Sequence, residues 1–384
     1  MKIAYVHSGA VPSQSANSVH VMKMCSALAS EGADVTLFCP EAEIDGNPFD
    51  MYGVPQNFKI FYVSQSGSLN KIHKIRSICL ALTMAKEVKK QGFDFVFGRS
   101  TFAIFFLRHY KPFIFESHML YTNRISNFII RKITRSNRFV NHIVITEELK
   151  QDYLSAYHFF STDMMSVLQD AADIALPVTK DLIPNDESKL LAIEKHPVIG
   201  YLGHLLPGKC MEILSQVARK RPQYDFHIVG GRQEWVDKWK TDERCKGLTN
   251  IKFYGYVENK TIPYYYNNFD ICVLPFSSQI LIGNFKNANI ARWTSPLKLF
   301  EAMSYGKAIL TTNLSTIQEV LTDGENCLME SENNIDGWCV KLDKLVADKN
   351  LRDKLGESAR SLFEKEYTWN IRAKKIIELF NKEN

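Results

Sequence analysis

Short apolar runs recur along the chain, and the stretches between them carry apolar residues at helical spacing. Lys2–Val6, Asp34–Phe38, Phe58–Val63, Asp94–Phe97, Pro112–Phe115 and His142–Thr146 form one series of predicted strands. Val198–Gly203, Asp225–Gly230, Ile251–Gly255, Asp270–Pro275 and Ala308–Thr312 form a second. Strands alternating with helices predict an α/β protein of two doubly wound, Rossmann-like domains facing a cleft. From Ile174 to His196 the chain turns polar and Pro-rich, which reads as the linker. The expected division is therefore residues 1–180, residues 190–366 and a closing helix over 367–384, whose apolar positions are Ile371, Ile376, Leu379 and Phe380. The first helix is expected to be capped near Asn17 or Ser18 and stopped by Gly32.

In open α/β sheets ligands sit beyond the carboxyl ends of the strands, so residues that directly follow strands are the candidates for chemistry. Here these include His7, Ser8, Gly9, Arg99, Glu116, His118, Gly203, His204, Lys209, Gly230 and Gly231.

Composition narrows the picture. Hydrophobic residues at 45% with charged residues at 23% describe a globular protein, and runs such as Ile78–Met84 and Ala103–Leu107 are too short to span a bilayer. Lys2–Val6 runs from the start into a polar loop without a secretory leader, so a cytoplasmic location is expected. The eight cysteines form no CxxC pair, which argues for reduced thiols and against a disulfide frame or zinc site.

The net charge of +5 is unevenly placed. Between Arg108 and His142 seven cations face the lone acid Glu116. Arg124–Arg135 and Asn70–Leu80 alternate basic and apolar residues at helical spacing, a pattern that suits an anionic membrane surface or, equally, a solvated helix with an apolar core stripe. No nucleic-acid-binding motif accompanies the patch, so nucleic acid is not expected as a partner.

The most specific stretch is Ser295-Pro-Leu-Lys-Leu-Phe-Glu301, followed by the apolar strand Ala308–Thr312. Ser295 suits an N-cap and Pro296 a first helical turn, so the helix is expected to open with free amides and a partial positive charge that favour an anion. Glu301 sits on an otherwise apolar helix and needs a partner. Ribose hydroxyls would satisfy both its oxygens; the alternative is a solvated pair with Lys298 at i, i+3.

Tyr201-Leu-Gly-His-Leu-Leu-Pro-Gly-Lys209, Ile228-Val-Gly-Gly231, Phe253-Tyr-Gly255, Ser295–Glu301 and Leu310–Gly324, in that order, resemble the C-terminal half of glycosyltransferase family 4, which has the GT-B architecture. Ser15-Ala-Asn-Ser-Val-His20, Phe115-Glu-Ser-His118 and Val144-Ile-Thr-Glu147 resemble its N-terminal half.

The resemblance implies retaining transfer of a sugar from a nucleoside-diphosphate donor, UDP favoured, bound by the C-terminal domain. The acceptor, a saccharide or a lipid-linked saccharide of a bacterial surface polysaccharide or lipopolysaccharide, would be held by the N-terminal domain. It further implies that Lys209 contacts the diphosphate, that Glu301 binds the ribose, and that Ser295, Pro296 and Leu297 carry the phosphate-facing amides. His118 would lie by the transferred sugar, and Gly9 belongs to a loop closing over the donor.

Two positions depart from the family. His204 stands where arginine is frequent, and Trp293 stands where the first glutamate of a Glu-x7-Glu pair is usual, so Asn289, Arg292 or Thr294 is left to contact the donor sugar. Weaker candidates for acceptor or sugar contact are His20, Arg99, Glu116 and Arg292; Arg99 either binds a phosphate or pairs with Glu116. Glu116 is also the nearest carboxylate to His118 should the route use a nucleophile. No Asp-x-Asp occurs, so neither a metal nor any other cofactor is expected. Tyr264–Tyr266 is expected to pack beneath the site, and Glu41–Asp45 to be a solvated loop. A GT-B-shaped sugar-nucleotide epimerase and a non-catalytic nucleotide-sugar-binding protein remain as alternatives.

Overall fold

Thirteen strands build two parallel sheets in a computed structural model that describes residues 1–13, 15–42, 46–63, 73–179, 182–184, 197–279 and 289–382. The first sheet contains β1 (Lys2–Val6), β2 (Asp34–Cys39), β3 (Lys59–Tyr62), β4 (Phe95–Gly98), β5 (Phe113–Ser117), β6 (Phe139–Val144) and β7 (Met165–Val167), in the spatial order β3-β2-β1-β4-β5-β6-β7. The second contains β8 (Ile199–Leu202), β9 (Phe226–Val229), β10 (Ile251–Gly255), β11 (Ile271–Leu274), β12 (Ala308–Thr312) and β13 (Leu328–Glu330), in the order β10-β9-β8-β11-β12-β13. In each sheet the central strands are buried on both faces, which explains why they read as continuous apolar runs.

Each sheet has one point where the winding reverses. The chain leaves β1 toward β2 on one side and returns to β4 on the other; β8 and β11 flank the matching point in the second sheet. These crevices are where a doubly wound sheet holds its ligand.

Two units result: Met1–Gln169 with Trp369–Asn384, and Asp170–Thr368. The boundary falls earlier than the expected 180 to 190, because hydrogen bonds outrank composition there. Asp170 N donates to Ser295 Oγ at 2.9 Å, Ser304 Oγ donates to the Asp173 carbonyl at 2.7 Å, and Ala172 bridges to Thr368. Residues 170–176 thus belong to the second unit. Of the expected linker, 180–181 and 185–196 lie outside the described residues, as do 70–72 of the first basic segment and 43–45 of the acidic loop.

The first helix runs Ala16–Ser30, and its cap is Ser15, whose hydroxyl accepts from Ser18 N; this is two or three residues before the expected Asn17 or Ser18. The last helix, Trp369–Asn381, lies against it within the first unit, with Asn370 Nδ2 donating to Glu31 Oε1 at 3.0 Å. In the second unit the helix Leu297–Ser304 buries Leu299, Phe300 and Met303 in the core.

Candidate functional site

In the second unit β8 ends in a turn at Gly203 (φ 153°) and β9 in a turn at Gly230 (φ 103°). A Cβ on Gly230 would lie 2.4 Å from the Gly203 carbonyl oxygen, so the turns meet backbone to backbone and only glycine fits. The loop beyond is pinned: Tyr201 donates its hydroxyl to the His204 carbonyl at 2.8 Å, and Trp239 Nε1 donates to the Leu205 carbonyl at 2.7 Å.

Three basic side chains gather on this frame. Lys298, from the helix Leu297–Ser304, donates to the Tyr201 hydroxyl at 2.8 Å and lies over the rings of Tyr201 (4.2 Å) and Phe276 (4.7 Å). Burial, helped by the charge of Lys209, lowers its pKa to about 7. Burial also lowers Lys209. His204 reaches the surface, yet desolvation and then the charges of Lys209, Lys298 and Arg232 hold it below the ordinary imidazole value. Among the described residues no carboxylate forms an ion pair with Lys209 or Lys298. Glu301 offsets only part of the lowering at Lys298; cations crowded together and desolvated without an ion-paired acid destabilise one another, and an anion of two or more charges relieves all three.

Glu301 is half-buried on the same helix and accepts from the Tyr266 hydroxyl at 3.0 Å. Tyr265 and Tyr266 are buried, as expected for packing beneath the site. Ser295 does not cap the helix. Pro296 occupies the N-cap position, Leu297 is the first helical residue, and the Ser295 hydroxyl is taken by the Asp170 amide. The proline ring at 296 and the anchoring of 295 shift the start by one residue; the Leu299 amide bonds the Pro296 carbonyl at 2.9 Å, which leaves Leu297 and Lys298 as the amides ahead of the first helical hydrogen bond. Trp293 is buried (8% exposed) and offers an indole N–H donor, not an acceptor, where a carboxylate is usual; Arg292 is exposed and Thr294 half-buried. Asn289 Oδ1 accepts from Ala291 N at 3.1 Å.

In the first unit the centre is Glu116, whose side chain is fully buried at the end of β5. His118 Nε2 lies 2.6 Å and His20 Nε2 3.0 Å from Oε1, while Arg372 Nη2 donates to Oε2 at 3.0 Å. Burial by itself would raise this carboxyl's pKa; Arg372, then His20 and the hydrogen bond to His118, hold it well below the usual carboxylate range. Trp369 packs edge-on against His20, with centroids 5.1 Å apart. The sequence reading brought Glu116, His118 and His20 forward and named Lys298 only as a possible partner of Glu301, but missed Arg372. Arg372 had a signal: it lies four residues before Ile376 and eight before Phe380, a cation on the buried stripe of its helix. Of the two options for Arg99, the acid is engaged by Arg372 instead, and Arg99 Nη1 is buried without a hydrogen-bond partner among the described residues. Gly9 follows β1, and a Cβ there would lie 2.6 Å from His7 Nε2.

His20, Glu116 and His118 also bring one possible metal-ligand atom each within 4.8 Å of the others. Both imidazoles converge on one carboxylate oxygen while a guanidinium holds the other, which is a hydrogen-bonded ion pair in form, and a dication would sit beside Arg372. Among the described residues no helix is long and apolar enough to cross a membrane.

Residues 183–362 match the model of the family described as glycosyl transferases group 1. The Escherichia coli O-antigen biosynthesis glycosyltransferase WbnH is 29% identical over 154 residues, which cover 40% of this chain and 39% of that protein. The chain thus spans about two-fifths of that curated relative's length. A glycosyltransferase structure from Rickettsia africae superposes with a TM-score of 0.71 at 16% identity, covering 99% of this chain and 98% of the other. Anabaena HepE in complex with UDP superposes with a TM-score of 0.69 at 17% identity, covering 100% of both. At such identities the superpositions establish the fold, the α/β GT-B architecture.

Proposed function

We propose that the chain transfers a sugar, with retention, from a nucleoside-diphosphate donor to a saccharide or lipid-linked acceptor, a reading supported by the match of residues 183–362 to the model of glycosyl transferases group 1. The observation that carries this reading is the cluster of His204, Lys209 and Lys298 beside the Gly203 and Gly230 turns, whose two lysines have no carboxylate ion pair among the described residues. It matches a diphosphate in charge and stands at the reversal point of its sheet. UDP is the favoured nucleotide, as bound by HepE, and Glu301 is assigned to the ribose hydroxyls. Surface polysaccharide or lipopolysaccharide synthesis is the proposed setting, in keeping with the O-antigen relative.

The reaction needs little covalent machinery. As the glycosidic bond breaks, negative charge builds on the leaving diphosphate, and fixed cations with the first-turn amides of the helix Leu297–Ser304 stabilise it. No metal is assigned to that step. His118 is placed by the transferred sugar, and Glu116 acts through it as a positioning residue: both carboxylate oxygens are already engaged, which argues against a nucleophilic role. The leaving phosphate is proposed to take the acceptor proton on the same face.

The helix Arg124–Thr134 exposes Ile125 (60%) and Phe128 (56%) beside Arg131 and Lys132, and is assigned to an anionic lipid surface. Screening nucleotide sugars by thermal shift identifies the donor, and the anomeric coupling of the product tests retention. An inverted linkage refutes retention; a donor that binds and is never transferred favours the binding-protein alternative, which the buried Trp293 keeps in view.

A further inference from the structure

Beside the Glu116 network, two polar side chains are held in ways that the network does not use. His7, the first residue after β1, is 1% exposed, and neither ring nitrogen has a hydrogen-bond partner among the described residues. Arg99, the first after β4, carries a buried Nη1 in the same condition and forms no ion pair among the described residues. The hydroxyl of Tyr5, one strand position before Val6, is likewise buried and unpartnered. Unsatisfied buried donors cost stability, and natural structures keep few of them.

Their placement is not random. β1 and β4 are the neighbours at which the first sheet reverses its winding. Burial and then the charge of Arg99 lower the His7 imidazole to about 3, so it is neutral and offers one N–H donor. Glycine at 9 lets the loop cross the His7 ring at van der Waals distance, where any side chain would collide with Nε2. Gly9, Arg99, His118 and Tyr121 are all partly exposed, and the charges of Arg99 and His118 both act on His7 while that of Arg99 acts on Tyr121. The acid of the neighbourhood, Glu116, is already balanced by Arg372.

We propose that His7 and Arg99 form an oxyanion subsite of the first unit, which recognises a carboxylate or phosphate carried by the glycosyl acceptor. This rests on the reading of the first unit as the acceptor-binding one. The guanidinium fork pairs two oxygens of a planar or tetrahedral anion, and the His7 N–H supplies a further donor. An acceptor with hydroxyls alone would leave the Arg99 charge unmatched, so acidic or phosphorylated saccharides are selected over neutral ones.

The test is ligand-observed NMR on the full chain saturated with UDP, which occupies the diphosphate site, using glucuronate, inorganic phosphate and glucose as probes. Wild-type protein is expected to bind glucuronate or phosphate and not glucose, and Arg99→Gln to weaken that binding at least tenfold with UDP affinity unchanged. Glucuronate alone binding identifies a carboxylate as the ligand; phosphate alone identifies a phosphate. His7→Gln is expected to weaken the same probe, and Arg99→Lys to retain part of the binding, so a poorly folded Arg99→Gln does not decide the matter. Equal binding of glucose and glucuronate, no binding of either anion, or Arg99→Gln and His7→Gln both matching wild type overturns the subsite. Failure of UDP to bind at all instead removes the donor reading.

Discussion

Replacing Arg372 with methionine keeps an unbranched apolar stem beside Met24, shorter than the arginine side chain, while removing the cation from Glu116. Arg372 and Glu116 are 3% and 0% exposed in their side chains, so solvent cannot take over the charge. Removing one partner of a buried ion pair typically costs about 3–5 kcal/mol, most of it the burden of the charge left behind. The pH dependence is the sharper signature. In the wild type the Glu116 pKa lies well below 4.5, so its contribution is present above the unfolded value and fades only as pH falls through the lower folded value. With Arg372 gone, burial, the largest influence on this carboxyl, is opposed only by His20 and His118, and the folded pKa is expected to rise above 4.5. The folded state then binds a proton the unfolded state lacks, and stability rises as pH falls from neutrality toward 4.5. Urea unfolding followed by circular dichroism between neutral pH and 4.5 reads this directly. Adding Glu116→Gln to Arg372→Met is expected to recover stability at neutral pH. A loss under about 1 kcal/mol together with a wild-type pH profile would refute the buried-pair account.

Three further expectations follow from the second unit and the basic helix. Because Lys298 titrates near 7 without ligand, diphosphate binding at a pH one unit higher is expected to draw in protons and weaken with further rise in pH; calorimetry in buffers of different ionisation enthalpy measures the uptake, and none would contradict the cation's role. Glu301→Gln keeps an acceptor for the Tyr266 hydroxyl yet loses the charge, and is expected to weaken UDP by about 1.5–3 kcal/mol while sparing inorganic pyrophosphate. Equal losses for both ligands would remove the ribose assignment. Charge reversal at Arg131, Lys132 and Arg135 is expected to abolish binding to vesicles of phosphatidylglycerol, as read by co-sedimentation; undiminished binding rules out that surface.

The fold was largely legible because each central strand is an apolar run bounded by turn residues, and eleven of the thirteen strands announce themselves that way. β7 and β13 do not: each has three residues at a sheet edge, too short for an apolar run to emerge from its surroundings. β6 begins at Phe139, ahead of the expected His142, because the polar Asn141 interrupts the run while still pairing with Ile114. The site was legible where spacing is local, as for His118 two residues after Glu116. It was obscure where partners are distant in sequence. Nothing near Ser295 shows that its hydroxyl is committed to Asp170, 125 positions earlier, and nothing near Glu116 points to Arg372, 256 positions later. Lys298 lay in plain view, but its rings, Tyr201 and Phe276, come from other elements.

The central claim is that the second unit holds a nucleoside diphosphate on unpaired cations. Titrating UDP into the full chain and into Lys209→Met by calorimetry tests it most directly: the wild type is expected to bind, and the variant to bind about 2–5 kcal/mol more weakly with an unchanged melting profile in the absence of UDP. UDP, GDP and ADP all failing to bind the wild type, or UDP binding both proteins alike, would contradict it.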